Sequence, residues 1–426
     1  MVTLEEEDGE DRSGGRTMVE GLGELRARVD GARIAILHYG EHTPLDEGYR
    51  PGRMGQLAEW LTESGAMVTR FVPTYSHFSG KQRPLAWSGE STSEGQVCMV
   101  PTRAYGNSRG SDRLGFLRDF SEGCGRALRA TAEFDLAIVG YPPPGLVSAV
   151  RSAGGARLPL LADIRDLWPD ALVPRPTPLV RHAAGGLGHL MAQELRKTTG
   201  VLAMSNTMLA RAPRSKRLGA VPLSVSEAFR HSCSDVDGEA PLQVVFVGSF
   251  SSFYDFDAFM TGWSLFLDGR GGGGASPLMR ICGAGVLDSE IRAMAERYGS
   301  IDMVGWVPSS SVPAYLASAD VGIAPTRAGY GTTFGNKVLE YLGAGLHVLN
   351  SLEDESATAL QVEGFGTRVE PSARGWAAAF ATAEHSLDAL RAERSGRHDR
   401  AMKMYGREGI EPRWLAHIGA ALGSAS

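Results

Sequence analysis

Lys337 and Glu340 stand three residues apart within Gly331–Asn350, GTTFGNKVLEYLGAGLHVLN, a cation and an anion on one potential helix face. The spacing predicts a loop, a short helix from Asn336 and a buried strand HVLN, with Gly343 and Gly345 stopping the helix. On that helix Val338, Leu339 and Leu342 face the core, while Lys337, Glu340 and Tyr341 face away from it. A helix N-terminus presents unpaired N–H groups and a partial positive charge, which suits a phosphate. Thr332, Thr333, Phe334 and Gly335 form the approach loop, with Asn336 at the helix start; small residues let a ligand come close to the backbone. The plain alternative is an amphipathic helix with a solvated outer face.

A second charged group, Asp163, Arg165 and Asp166, ends the apolar strand 158–164, where α/β sheets place their active sites. These residues are expected to line a cleft; the alternative is a structural ion pair in which two carboxylates hold Arg165. Near the N-terminus, a strand at 33–37 runs into a loop carrying Gly48, Arg50, Gly52 and Arg53. No G-x-G-x-x-G occurs there, so the dinucleotide fingerprint is absent. Arg50 in this loop, His77 in the basic stretch 74–83 and Tyr141 after the strand 134–139 are candidate acceptor contacts. His77 could equally meet a donor phosphate or be an ordinary surface histidine. Asp255-Phe256-Asp257 resembles a metal-binding D-x-D but opens a helix, where Asp serves as a cap. His38 and His42 fall in a loop, and no metal site is expected.

The elements that must hold these residues alternate between strand and helix. In the first half, strands are predicted at 33–37, 66–72, 97–101, 134–139, 158–164 and 200–204, with helices at 54–64, 112–131, 180–197 and from 206. In the second half, strands are predicted at 242–247, 277–282, 301–304, 321–324, 347–350 and 364–369, with helices at 252–266, 288–297, 309–318, 373–395 and around Trp414. The first four of these later strands end in Gly or Pro, which clears backbone room along one sheet edge. Gly248, Ser249, Gly283, Gly285, Trp306 and Val307 are therefore candidates to line a nucleotide crevice. The expected architecture is α/β, two Rossmann-like domains facing each other across a cleft. Residues 1–30 are read as a disordered acidic tail, 31–230 as the first Rossmann-like domain, 231–241 as a linker and 242–400 as the second. Residues 401–426 are read as a helix crossing back to the first domain.

Composition narrows the function classes. The chain has 426 residues, a formal net charge of -6 and 22% charged residues, so nothing electrostatic favours nucleic acid. Cys98, Cys124, Cys233 and Cys282 form no C-x-x-C pair, which fits a reducing, cytoplasmic compartment. No apolar run reaches membrane-spanning length, and the acidic N-terminus lacks a signal-peptide pattern. Arg-bearing helices at 113–129 and 181–196 leave room for at most a peripheral membrane contact. A monomer or weak homodimer is expected.

The chain resembles the retaining "group 1" (family 4) glycosyltransferases of the GT-B fold. The resemblance spans roughly residues 31–422 and is most specific in FGNKVLEYLGAGLHVLN, with DIRDLWP, FVGSFSSFYD, RICGAG and MVGWVP adding to it. It implies that Glu340 holds the ribose hydroxyls of a nucleoside-diphosphate sugar. It further implies that the loop before the helix carries the diphosphate and sugar, and that the GAG and GWVP loops flank the base. The implied chemistry is metal- and cofactor-independent transfer to a small-molecule or lipid-linked acceptor, in cell-envelope glycan or antibiotic-type glycoside biosynthesis. Two departures stand out: Thr332 replaces a glutamate common in the family, and Ser249–Asp255 carries no Arg or Lys. Rival readings are a nucleotide-sugar epimerase on the same fold and a non-catalytic nucleotide-sugar-binding protein.

Overall fold

A computed structural model describes residues 21–106, 111–131, 133–169, 178–230, 239–270, 275–327, 335–353 and 355–424. Of the expected acidic tail 1–30, residues 1–20 lie outside the described residues, as do most of the expected linker and the approach residues Thr332, Thr333 and Phe334. The rest of that tail is corrected, because Leu22–Ala27 form a helix and Leu25 and Val29 pack into the first domain's core.

The first sheet contains β1 (Arg33–Leu37), β2 (Met67–Pro73), β3 (Ser91–Thr92), β4 (Gly95–Val100), β5 (Leu136–Tyr141), β6 (Leu160–Ile164), β7 (Gly200–Ala203) and β8 (Arg217–Ala220). Its order is β3-β4-β2-β1-β5-β6-β7-β8, parallel except at β3. Around it lie α1 (Leu22–Ala27), α2 (Arg53–Glu63), α3 (Ser111–Ala130), α4 (Leu146–Gly154), α5 (Pro178–Leu195) and α6 (Asn206–Leu209). The second sheet contains β9 (Gln243–Val247), β10 (Leu278–Cys282), β11 (Ile301–Gly305), β12 (Val321–Ala324), β13 (His347–Asn350) and β14 (Gly366–Arg368), all parallel, in the order β11-β10-β9-β12-β13-β14. Its helices are α7 (Phe256–Gly269), α8 (Asp288–Tyr298), α9 (Val312–Ala317), α10 (Asn336–Gly343), α11 (Glu355–Val362), α12 (Ala373–His385), α13 (Leu387–Ala392) and α14 (Arg394–Tyr405). The chain ends in α15 (Arg407–Gly423).

Each sheet is apolar on both faces, as parallel sheets require when helices cover both sides. Strands β5, β6, β7 and β12 are buried along their whole length. One core of the first domain packs β-strand residues against Phe116 and Phe120 of α3 and Val147 and Val150 of α4. The other packs Leu57 and Leu61 of α2 against Ile410, Trp414, Leu415 and Ile418 of α15. The last helix thus belongs to the first domain's core. Glu411 strengthens the joint by accepting from Arg26 Nε at 2.8 Å, and Arg53 lies 4.6 Å over the Trp414 ring. The second domain repeats the pattern, with Phe259, Trp263, Trp376 and Phe380 on one face and Val338, Leu342, Ala401 and Tyr405 on the other.

The chain passes between the domains earlier than the polar stretch 231–241 would place it. Val221 packs in the first domain's core, whereas Val225 and Phe229 already pack in the second's. It returns after Tyr405, since Tyr405 sits in the second core and Ile410 in the first.

Both sheets reverse their winding order at one point, between β1 and β5 in the first and between β9 and β12 in the second. Ligands of doubly wound sheets bind outside the carboxyl ends of the strands at such switch points. The loops that matter are therefore those after β1 and β5, and those after β9 and β12.

Candidate functional site: a charged crevice between the two switch points

The first domain's switch point is filled by its own side chains. Glu41, in the loop after β1, accepts the N–H groups of Met54 (3.0 Å) and Gly55 (2.9 Å) in the first turn of α2. Glu194 of α5 does the same for α4, accepting from the N–H groups of Gly145 and Ser148, both at 2.9 Å. The two helix N-termini at this domain's switch point thus hold carboxylates. Burial alone would raise the pKa of Glu41, but Arg165, His38, Arg70 and the Met54 N–H outweigh it and hold it down to about 2. His38 is pushed down to about 3 by burial and by Arg165 despite Glu41, so it is neutral at physiological pH.

The charged group expected to line the cleft divides. Asp163 is fully buried and takes a bidentate hydrogen bond from Arg53, 2.8 Å on each arm, while Arg53 also donates to the Pro222 carbonyl at 2.8 Å. The expectation that Asp163 faces the cleft is corrected here: β6 is a central strand with both faces covered. Arg165 is partly buried and donates to Glu41 Oε1 at 2.6 Å, which favours the structural ion-pair reading for it. Asp166 alone is exposed. It lines a cavity of about 480 Å³ together with Tyr141, Trp168 and residues of α5. Asp163→Ala should therefore act through stability. Removing one partner of a buried pair leaves the other charge uncompensated, at a cost of about 3–5 kcal/mol. Thermal unfolding is expected to fall by about 2–4 °C per kcal/mol lost, and an unchanged Tm would contradict this role.

The remaining acceptor-side candidates do not converge. Tyr141 is buried at the base of the cavity, donating to Glu194 at 3.0 Å. His77 is exposed, with Nδ1 2.6 Å from the Tyr105 hydroxyl and its ring stacked on that residue. Arg50 faces the second domain, where it pairs with Glu340.

In the second domain everything turns on how α10 is seated. Tyr341 was expected on the outer face; it is instead fully buried, and its ring occupies the space a Cβ on Gly322 of β12 would take. Its hydroxyl accepts the Val247 N–H at 3.0 Å and donates to the Ile323 carbonyl at 3.2 Å. One side chain thus pins α10 to the ends of both switch-point strands. At the other end of α10, His398 Nδ1 lies 2.6 Å from the Gly343 carbonyl, and Arg397 donates to the Gly345 carbonyl at 3.1 Å. The Arg397 guanidinium there complements the helix dipole.

The start of α10 is different. Gly335 provides no side-chain cap and, like Asn336, is exposed. The first N–H groups of such a helix need an external partner. Lys337 and Glu340 are both buried rather than solvated. The Lys337 ammonium lies 3.8 Å from the Phe246 ring centre and 3.4 Å from that of Tyr254, with no hydrogen-bond partner among the described residues. Gly248 makes room for it: a Cβ there would stand 2.9 Å from Nζ. Burial pushes the Lys337 pKa well below the ordinary lysine value, with Glu340 opposing the shift. A lysine with no hydrogen-bond partner among the described residues, under a helix start with no side-chain cap from Gly335, is a place suited to negative charge.

The strand-end glycines have a packing reason of their own. Gly283 has φ 155° and touches the Gly248 carbonyl so closely that a Cβ would collide with it. Gly248 donates to the Cys282 carbonyl at 3.0 Å, and Gly283 to the Gly305 carbonyl at 2.7 Å. The ends of β9, β10 and β11 are thereby laced together. Ser249, Gly285 and Trp306 are exposed along this edge, while Val307 is half-buried against the core. Asp255 caps α7, accepting the Ala258 N–H at 3.3 Å. Among the described residues no cluster of His, Cys, Asp and Glu has metal-binding geometry, and no helix is long and apolar enough to cross a membrane. The sequence carried no local signal for the Glu41 and Glu194 caps or for the Arg50–Glu340 pair, which join residues far apart in the chain.

Residues 241–383 match the family model "Glycosyl transferases group 1". No curated protein matched the chain. Among solved structures, sucrose-phosphate synthase from Thermosynechococcus elongatus superposes with a TM-score of 0.71 at 15% identity, covering 93% of this chain and 100% of that one. Anabaena Alr3699/HepE in complex with UDP-glucose gives 0.62 at 12% identity, over 92% and 100%. An α,α-trehalose-phosphate synthase (UDP-forming) from Burkholderia vietnamiensis gives 0.64 at 13%, over 92% and 100%. All three share the two-domain α/β architecture.

Proposed function

Through residues 241–383 the chain belongs to the group 1 glycosyltransferases, and on that premise we propose that it moves a sugar from a nucleoside-diphosphate donor to an acceptor, with retention at the anomeric carbon and without a metal ion. The observation that carries the reading is the seat of α10: an N-terminus with no side-chain cap from Gly335, the Lys337 ammonium below it with no hydrogen-bond partner among the described residues, and the Glu340 carboxylate one turn further in. A diphosphate over the helix start places the ribose at Glu340. A superposable neighbour was solved with UDP-glucose bound, which supports a donor of this class.

In the proposed reaction the bond from the sugar C1 to the β-phosphate oxygen breaks, and its electron pair stays on the phosphate. The charge that grows there is stabilised by the helix dipole, backbone N–H groups and Lys337. The acceptor oxygen, approaching on the same face, bonds to C1 and gives its proton to that phosphate oxygen. No enzymic nucleophile is required. The cavity of about 480 Å³ beside Asp166 is the proposed acceptor compartment. Its size suits a small molecule or the head of a lipid-linked one.

Incubating the protein with labelled UDP-, GDP- and dTDP-sugars, with and without acceptor pools, tests this reading. Acceptor-dependent transfer is expected; donor interconversion without acceptor would mark an epimerase, and binding without turnover a binding module. Turnover is expected to survive EDTA. Loss of activity restored by Mg²⁺ or Mn²⁺ would contradict the metal-free mechanism and return attention to Asp255 and Asp257.

A further inference from the structure

The donor reading leaves a shortage of positive charge. A nucleoside diphosphate needs more than one cation, and the loop Ser249–Asp255 after β9 supplies none. Arg327, after β12, is engaged with Asp255 at 3.6 Å and with the Tyr254 carbonyl at 3.5 Å. Lys337 is fixed between two rings. The missing charge stands on the opposite wall. Arg50, in the loop after β1, reaches across from the first domain and pairs with Glu340. Its side chain is 35% exposed while that of Glu340 is 7% exposed, so the arginine is the mobile partner and the carboxylate the fixed one. The neighbouring charges of the same loop are not available, because Arg53 is held by Asp163 and Glu41 caps α2.

We propose that Arg50 is the cross-cleft diphosphate-binding residue, displaced from Glu340 by the ribose and transferred onto the phosphates. The inference rests on the donor reading above. Ribose hydroxyls donate to the Glu340 oxygens that Arg50 now occupies. Glu340 stands about one helical turn, about 5.4 Å of rise, in from the start of α10, so the freed guanidinium has a short path to the phosphates. Its planar fork of N–H donors matches two phosphate oxygens. The switch-point loops of the two domains therefore share one ligand, and the charge needed for sugar departure is complete only when the cleft is closed around it.

The test is calorimetric titration of UDP, GDP and dTDP, and of the matching phosphate-free nucleosides, into the wild-type chain, Arg50→Gln and Arg50→Lys. For the diphosphate that binds, Arg50→Gln should weaken affinity by about 10-fold or more. Its nucleoside should bind no more weakly, because the competitor for Glu340 is gone. Arg50→Lys should recover part of the diphosphate affinity. A rise in both affinities would overturn the proposal by making Arg50 a simple latch on the ribose site, and unchanged diphosphate binding would also overturn it. Failure of the wild-type chain to bind any of the three diphosphates would instead remove the donor reading on which the proposal stands.

Discussion

Lys337→Met is expected to lower turnover by about 100- to 1000-fold, the usual effect of removing one preorganised donor from a developing oxyanion. Donor affinity should fall less, since the phosphate charge that Lys337 meets grows as the sugar leaves. The substitution should not unfold the protein, because Met fills a similar volume between Phe246 and Tyr254. Without ligand it should raise stability, and the pH dependence fixes the sign. Burial lowers the folded-state pKa of Lys337 below its ordinary value. Between those two values the unfolded chain holds the proton and the folded chain does not, so this group makes stability rise with pH. Above about pH 10 both states are neutral and the penalty vanishes. The Tm advantage of Lys337→Met should therefore be fully present below the folded-state pKa and shrink as pH rises toward about 10. A variant less stable than wild type at every pH would show that the two rings stabilise a charged lysine outright. A kcat within a few-fold of wild type would take Lys337 out of the mechanism.

The second large effect concerns Glu340. A carboxylate accepts two hydroxyl hydrogen bonds, and hydrogen bonds to charged groups contribute roughly 1.5–3 kcal/mol. Glu340→Ala should weaken nucleotide binding by about 10- to 150-fold. The loss should be as large for free nucleoside diphosphate as for the sugar donor, because the contact is to ribose. It should be cleanest for the nucleoside alone, since in this variant Arg50 is free for phosphate from the start. Arg50 is partly exposed and can be rehydrated, so the fold should survive the change.

Much of the architecture was legible because its physics is local. Alternating apolar strands and amphipathic helices marked two parallel sheets, and β1, α8 and β12 fall within a residue of their expected bounds. The short helix α4 escaped because Leu146, Val147 and Val150 complete barely two turns of pattern. Tyr341 was misplaced for a different reason. Helical periodicity assumes one solvated face, whereas Lys337 through Gly343 of α10 are all buried. Asp163 failed through the same assumption applied to a strand end, and its true partner, Arg53, is 110 residues away. The domain crossing was misread because a polar stretch is only a compositional cue, while packing of Val225 decides where the second core begins. In the site, glycines and the Lys337/Glu340 spacing were visible from the start; the closure of the α2 and α4 termini by Glu41 and Glu194, which directs the anion to α10, was not.

The central claim is that a nucleotide lies along α10 with its ribose on Glu340. Calorimetric titration of UDP, GDP and dTDP into the wild-type and Glu340→Ala chains, with Tm recorded for both, tests it most directly. The account predicts that at least one diphosphate binds the wild-type chain at a single site, and that Glu340→Ala stays folded and binds it at least about 10-fold more weakly. Equal affinity for the two chains would contradict the placement.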